Sequence, residues 1–259
     1  MRNSNNFAKR AGLIAGRAPL TGARLTHVVS TVRGSDGHLE VIKIDAEAPR
    51  SDTDAFILEL ARTRADAIVT TGRILREETE LSHELAAPSR AWRSRELGKD
   101  TLPFSVVITR SGDIDLDHRL FHGEAEAWIL ADEQTIGRVD SPARRPGTRL
   151  FATPCKTVRD TLEWLWKMPD IESISLECGP STVAELYREP PLVDELILAI
   201  CEGADAQATN TTGRFLHPRE IEAIFGPAVT DLSVREGGLH WRFLRFCRSI
   251  AKGTPEGDG

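Results

Sequence analysis

The chain has 259 residues, 40% of them hydrophobic and 28% charged, with a formal net charge of −6 at pH 7. This is the composition of a soluble globular protein long enough for one large domain. No apolar run approaches the ~20 residues that cross a bilayer, and the acidic balance has the wrong sign for gripping nucleic-acid backbone over a broad face.

The first 35 residues carry six basic side chains (Arg2, Lys9, Arg10, Arg17, Arg24 and Arg33) and no acid. Residues 1–24 are therefore expected to form a basic flexible leader, with the composition of either a disordered extension or an organellar transit peptide. The stretch lacks the apolar region of a secretory signal, and Cys155, Cys178, Cys201 and Cys247 contain no CxxC pair. Free thiols in a reducing compartment follow, with the cytoplasm as the expected location and an organelle as the alternative.

A β-branched segment at residues 25–32 reads as the first strand. Ser51 and Asp54 have capping-box spacing ahead of Phe56, Ile57, Leu60 and Ala61, which predicts a helix running to about Thr63. Residues 66–71 read as a second strand, and 82–101, with Pro88 and several basic residues, as a long loop. Strands follow at 104–110 and 126–131, then a Pro-containing loop at 141–147. Thr157 and Asp160 repeat the capping box before Leu162, Leu165 and Trp166, and Trp164 and Trp166 are expected in the core. Further strands fall at 173–177 and 195–201. Segments 229–235 and 239–248 flank Glu236-Gly237-Gly238 as a closing hairpin, and 251–259 read as a flexible tail. Strands alternating with helices predict an α/β fold with a mostly parallel central sheet, flanked by helices and closed by the antiparallel hairpin.

Several motifs fail. His122-Gly123-Glu124 and Pro154-Cys155 imitate a zinc-deaminase signature, but position 158, where the second cysteine belongs, is Val158. No metal site is expected. No Walker loop, GxGxxG fingerprint or GxSxG elbow is present. The remaining chemistry points to two strand ends. Thr70-Thr71-Gly72-Arg73 closes an apolar strand with a Gly turn and an Arg suited to a phosphate. Glu177-Cys178-Gly179-Pro180-Ser181-Thr182 ends a strand in an acid and a tight turn, with Ser181 as the expected helix cap. From these residues alone, each is equally a plain strand-to-helix turn.

The order of these segments resembles the reductase domain of riboflavin biosynthesis, a dihydrofolate-reductase-like fold often fused to a deaminase. The resemblance spans about residues 25–246. Ser35-Asp36-Gly37 is similar to that family's Ser-x-Asp-Gly, residues 60–72 to its helix, Ala-Asp-Ala-Ile strand and Gly turn, and residues 106–112 to its central strand. Most specific is the pair formed by residues 176–180 and 192–196, which resembles Glu-Gly-Gly-Pro and Leu-Val-Asp-Glu-Leu.

The resemblance implies an NADPH-dependent reductase that delivers hydride to C1′ of a ribosylaminopyrimidine 5′-phosphate, a small-molecule substrate, in a homodimer. It implies that Thr71, Gly72, Arg73, Cys178, Gly179, Pro180, Ser181 and Thr182 hold the dinucleotide, with Arg73 on a 2′-phosphate. Asp36 and Glu177 would face the sugar. The chain departs from the pattern at Cys178, which adds a Cβ where the family has Gly, at Thr70 and Arg73, and in the shortened Ser35-Asp36 spacing. Those departures keep open a second reading, a non-enzymatic binding or assembly protein on the same fold.

Overall fold

In the computed structural model, which describes residues 2–139, 147–203 and 209–248, β1 (Leu25–Arg33) and β8 (Glu195–Glu202) sit at the middle of a mixed sheet. On one side of β1 come, in spatial order, β7 (Ile174–Leu176), β3 (Ala67–Thr71), β4 (Phe104–Ile108), β5 (Ala127–Ala131) and β6 (Thr148–Ala152), all parallel. On the other side, β8 is parallel to β1, and the hairpin of β10 (Thr230–Glu236) and β11 (Leu239–Cys247) closes the sheet antiparallel. This is the expected α/β fold. Its hairpin turns through Gly237 and Gly238, both at positive φ, the geometry a two-residue turn demands.

The edge of β1 facing β7 is shared. Leu25 to His27 pair with β7, whereas Thr31 to Arg33 pair with the short antiparallel β2 (Leu39–Ile42), itself joined by β9 (Thr211–Arg214). The sheet therefore splits beyond Leu176, and the turn at Glu177-Cys178-Gly179 enters the split.

Both predicted capping devices form. Ser51 Oγ accepts from the Asp54 amide at 3.0 Å at the start of α2 (Asp52–Arg64), and Thr157 and Asp160 close a reciprocal box on α6 (Val158–Leu165). One core lies between the sheet and α6, α7 (Pro180–Val183) and α8 (Pro218–Phe225), and contains Leu162, Leu165, Val183 and Phe225. A second, under α2, contains Phe56, Ile57, Leu60 and Trp241. Trp164 and Trp166 pack at the margin of the first core, only partly buried.

Two expectations are corrected here. Residues 2–15 are not a flexible leader but helix α1 (Arg2–Ala15), whose Phe7, Ala11 and Ile14 are buried in the second core. Phe7 meets Phe56 edge-on at 5.0 Å and Trp92 at 5.4 Å. Arg10 of this helix lies over the Phe56 ring and donates to the Asp52 carbonyl. Nor is 82–101 all loop: α4 (Ala87–Leu97) starts with Pro88 in its first turn and stops at Gly98 in the left-handed conformation. Arg93 is buried and donates to the carbonyls of Thr63 and Ala65 at 2.7 Å and to that of Thr101, satisfying the end of α2. Residues 141–146 and the tail 251–259 lie outside the described residues.

Candidate active site

The carboxyl ends of β3, β4, β5 and β6 open into a cleft of 1220 Å³. Thr71, Gly72 and Arg73 form one wall, Thr109, Arg110 and Ser111 the end of β4, and Thr153 to Val158 the segment leading into α6. Ser181, Thr182, Glu185 and Arg188 complete it from α7 and the turn behind it. In an open α/β sheet, this is the end of the strands where ligands bind.

Local structure explains the shape. Thr71 caps α3 (Gly72–Glu77), its hydroxyl accepting from the Ile74 amide at 3.4 Å. A Cβ on Gly72 would fall 2.7 Å from Ile114 Cδ1 and 3.3 Å from Thr109 Oγ1, so glycine lets the start of α3 close against the end of β4. The cap of α7 is Gly179, not the expected Ser181, with Pro180 in the first turn. A Cβ on Gly179 would meet nothing within 4 Å, so this backbone faces open space.

The cleft is rich in cations. Arg73 pairs with Glu77 at 2.8 Å, an exposed contact within one helix, and Arg76 donates to the Asp113 carbonyl at 2.7 Å. Among the described residues, Arg110, Lys156 and Arg188 have no side-chain hydrogen bond or ion pair. These three sit on separate segments, and their convergence has no signature in local sequence. The acids of the lining are Asp132, Glu133 and Glu185. The Asp132 carboxyl is occupied as the cap of α5 (Glu133–Ile136), accepting from Thr135 at 2.8 Å, and Glu185 accepts from the Arg159 amide at 3.1 Å.

The predicted residues divide. Thr71, Gly72, Arg73, Ser181 and Thr182 share the cleft. Cys178, Gly179, Pro180, Glu177 and Asp36 are not among its lining. Cys178 points the other way from the expected one, buried in the core under α6 and α7, with its thiol 3.7 Å from the Val69 carbonyl. Burial holds that thiol far above its ordinary range. Its Cβ is thus spent on packing and does not fill the split.

Glu177 follows β7 on the opposite face, beneath α2. Its two carboxylate oxygens accept from Arg62 Nε and Nη2, each at 2.7 Å, and His83 Nε2 lies at 3.8 Å. Burial alone would raise this carboxyl, yet the Arg62 guanidinium holds it below the usual range. His83, in turn, is pushed down to about 3 by burial. Asp36 occupies an exposed turn after β1, where its carboxylate accepts from the His38 amide and pairs with Arg214. The His38 amide is the main cause of its lowered pKa. A Cβ on Gly213 would lie 3.6 Å from Pro180 Cγ, an ordinary contact, so β9, whose Arg214 pairs with Asp36, runs alongside the start of α7.

No curated protein matches this sequence. A pyrimidine reductase-like protein from Corynebacterium diphtheriae shares the fold with a TM-score of 0.65 at 18% identity, over 92% of this chain and 98% of its own. The RibD protein of Acinetobacter baumannii aligns at 0.55 with 12% identity, over 88% of this chain and 58% of that one. A deaminase/5-amino-6-(5-phosphoribosylamino)uracil reductase from Thermotoga maritima aligns at 0.50 with 15% identity, over 86% of this chain and 56% of its own. The sequence itself matches the RibD C-terminal domain over residues 27–201, a span that runs from within β1 to within β8 and includes the whole cleft. This chain belongs to the RibD C-terminal domain family.

Proposed function

We propose that the chain is an NADPH-dependent reductase that reduces C1′ of a ribosylaminopyrimidine 5′-phosphate or a close relative of it; the Thermotoga protein carries the name of a 5-amino-6-(5-phosphoribosylamino)uracil reductase. The observation that carries this reading is the large cleft with three unpaired cations at the carboxyl ends of β3 to β6. A reduced nicotinamide dinucleotide supplies the hydride, and its phosphates demand such a donor set.

The residues present fit that group. Arg110, Lys156 and Arg188 offer charge-assisted hydrogen bonds to phosphate, and the hydroxyls of Ser181 and Thr182 line the same space. Arg73 is available by exchanging a surface pair of the kind worth ~0.3–0.5 kcal/mol. Gly72 brings the backbone of α3 close to the end of β4, and Gly179 leaves room at the split.

Neither carboxylate is a proton donor near neutral pH, because Asp36 and Glu177 are both held ionised. Neither lines the cleft, and both oxygens of Glu177 are already taken by Arg62. The departure at Cys178 does not favour the non-enzymatic reading, since its side chain leaves the cleft free.

Fluorescence titration with NADPH and NADH tests the proposal. NADPH should bind more tightly, and Arg110→Ala with Lys156→Ala should weaken it by an order of magnitude or more. Absence of NADPH binding would reject the enzyme reading.

A further inference from the structure

Lys156 and Arg188 line the cleft from segments that are distant in the chain, the approach to α6 and the stretch after α7. Lys156 immediately precedes Thr157, whose capping box with Asp160 fixes the start of α6. The local support of Arg188 is weaker. Its amide reaches the Glu185 carbonyl only at 3.4 Å, and with Glu189 and Pro190 it is exposed, so burial does not set its place.

Arg159, in the first turn of α6, ties the two segments together. Its amide, one of the donors that a helix start leaves without an intrahelical partner, donates to Glu185 Oε1 at 3.1 Å. Its Nη2 lies 3.0 Å from the carbonyls of Glu185 and Pro190 and 3.5 Å from that of Arg188, the longest of these contacts. One side chain thus gathers the backbone on both sides of Arg188. A guanidinium can do this because its donors are spread over a rigid planar fork, whereas a lysine ammonium is a compact, strongly hydrated point charge.

Among the described residues the Arg159 guanidinium forms no ion pair, so carbonyls alone hold it. Its charge adds to the positive field of that wall, but Arg159 is not itself among the lining of the cleft.

We propose that Arg159 is a positioning residue for the phosphate-bearing ligand of the cleft. By fastening the backbone around Arg188 to the start of α6, it brings Lys156 and Arg188 onto one wall, where both can meet the same phosphates. The role rests on the cleft being the dinucleotide site proposed above.

Calorimetric titrations of the full chain with NADPH and, separately, with inorganic pyrophosphate test this. Arg159→Lys keeps the charge, the capping box and the buried Leu162 and Leu165, so its melting temperature should stay close to that of the parent. Arg188→Ala should weaken either ligand about tenfold or more, and Arg159→Lys about fivefold or more, through loss of a charged hydrogen bond to phosphate. The double variant should bind no more weakly than Arg188→Ala, because Arg159 acts through Arg188. Affinity unchanged in Arg159→Lys, a lower melting temperature with no loss of affinity, or losses that multiply in the double variant would overturn the proposal. Pyrophosphate binding that follows the expected pattern without any NADPH binding would support it and reject the reductase reading. Binding of neither ligand by the parent would overturn both.

Discussion

Arg62 and Glu177, 115 residues apart, form a two-pronged ion pair at 2.7 Å in which each side chain is only 11% exposed. Arg62 Nη1 also donates to the Ser82 carbonyl at 2.9 Å, so the pair fastens α2, the end of β7 and the entry to α4 together. Removing one partner leaves a buried charge. Glu177→Gln should cost about 3–5 kcal/mol in urea denaturation, whereas Arg62→Met/Glu177→Leu should cost clearly less. A Glu177→Gln variant that keeps its stability but loses turnover would show that the carboxylate acts on substrate.

Helix α1 is held by its C-terminus as well as by Phe7. Thr230 Oγ1 donates to the Ile14 carbonyl at 2.8 Å and Arg17 N to the Val229 carbonyl at 3.2 Å. Between them, Gly16 has φ +59°, and a Cβ there would come within 2.4 Å of the Val229 carbonyl oxygen. Gly16→Ala should therefore destabilise by more than the ~1 kcal/mol of backbone strain alone. Phe7→Ala should cost about 3 kcal/mol or more. Deleting residues 1–19 should lower the melting temperature markedly; an unchanged melt would show that α1 contributes no packing energy.

The His27 ring is buried against Phe215, and Nδ1 lies 2.6 Å from the Tyr187 hydroxyl. Burial lowers its pKa from 6.5 to about 4, while a hydrogen bond to Cys178 backbone opposes the shift. A base depressed in the folded state contributes stability above its unfolded pKa that is lost as pH falls from 6.5 through 4. At full size this is roughly 3 kcal/mol. Asp54, raised to about 6 by burial, acts in the opposite sense and loses its contribution as pH rises through 6. Comparing His27→Gln with the parent isolates the first effect: the parent should lose more stability between pH 7 and pH 4.5. Parallel profiles would mean that His27 is not buried in its neutral form.

Cys178→Gly restores the residue of the family pattern but removes a thiol packed under α6 and α7. It should leave NADPH affinity within about twofold and lower stability by roughly 1–2 kcal/mol, from lost packing and added unfolded-chain entropy. Tighter NADPH binding by the variant, seen calorimetrically, would show that the Cβ does intrude on the site.

Periodicity and local caps are properties of neighbouring residues, and this is why they were legible. Ser51, Thr157 and the Gly237-Gly238 turn act within a few residues of themselves, and the ordered motifs from Asp36 to Leu196 pointed to the family that the match over residues 27–201 establishes. Thr71, Gly72, Arg73, Ser181 and Thr182 could be placed together because they lie at or just beyond the carboxyl ends of two strands of one sheet, β3 and β7. The rest depended on packing between distant segments. Basic composition alone does not reveal that Phe7, Ala11 and Ile14 line one face of a docked helix, and the buried role of Arg93 required the end of α2 to arrive beside it. Adjacent residues near the end of a strand point to opposite faces; only the tertiary structure decided that Glu177 would turn to Arg62 and Cys178 to the core. The unpaired Arg110, Lys156 and Arg188 became one site because three separate segments end at the same edge of the sheet.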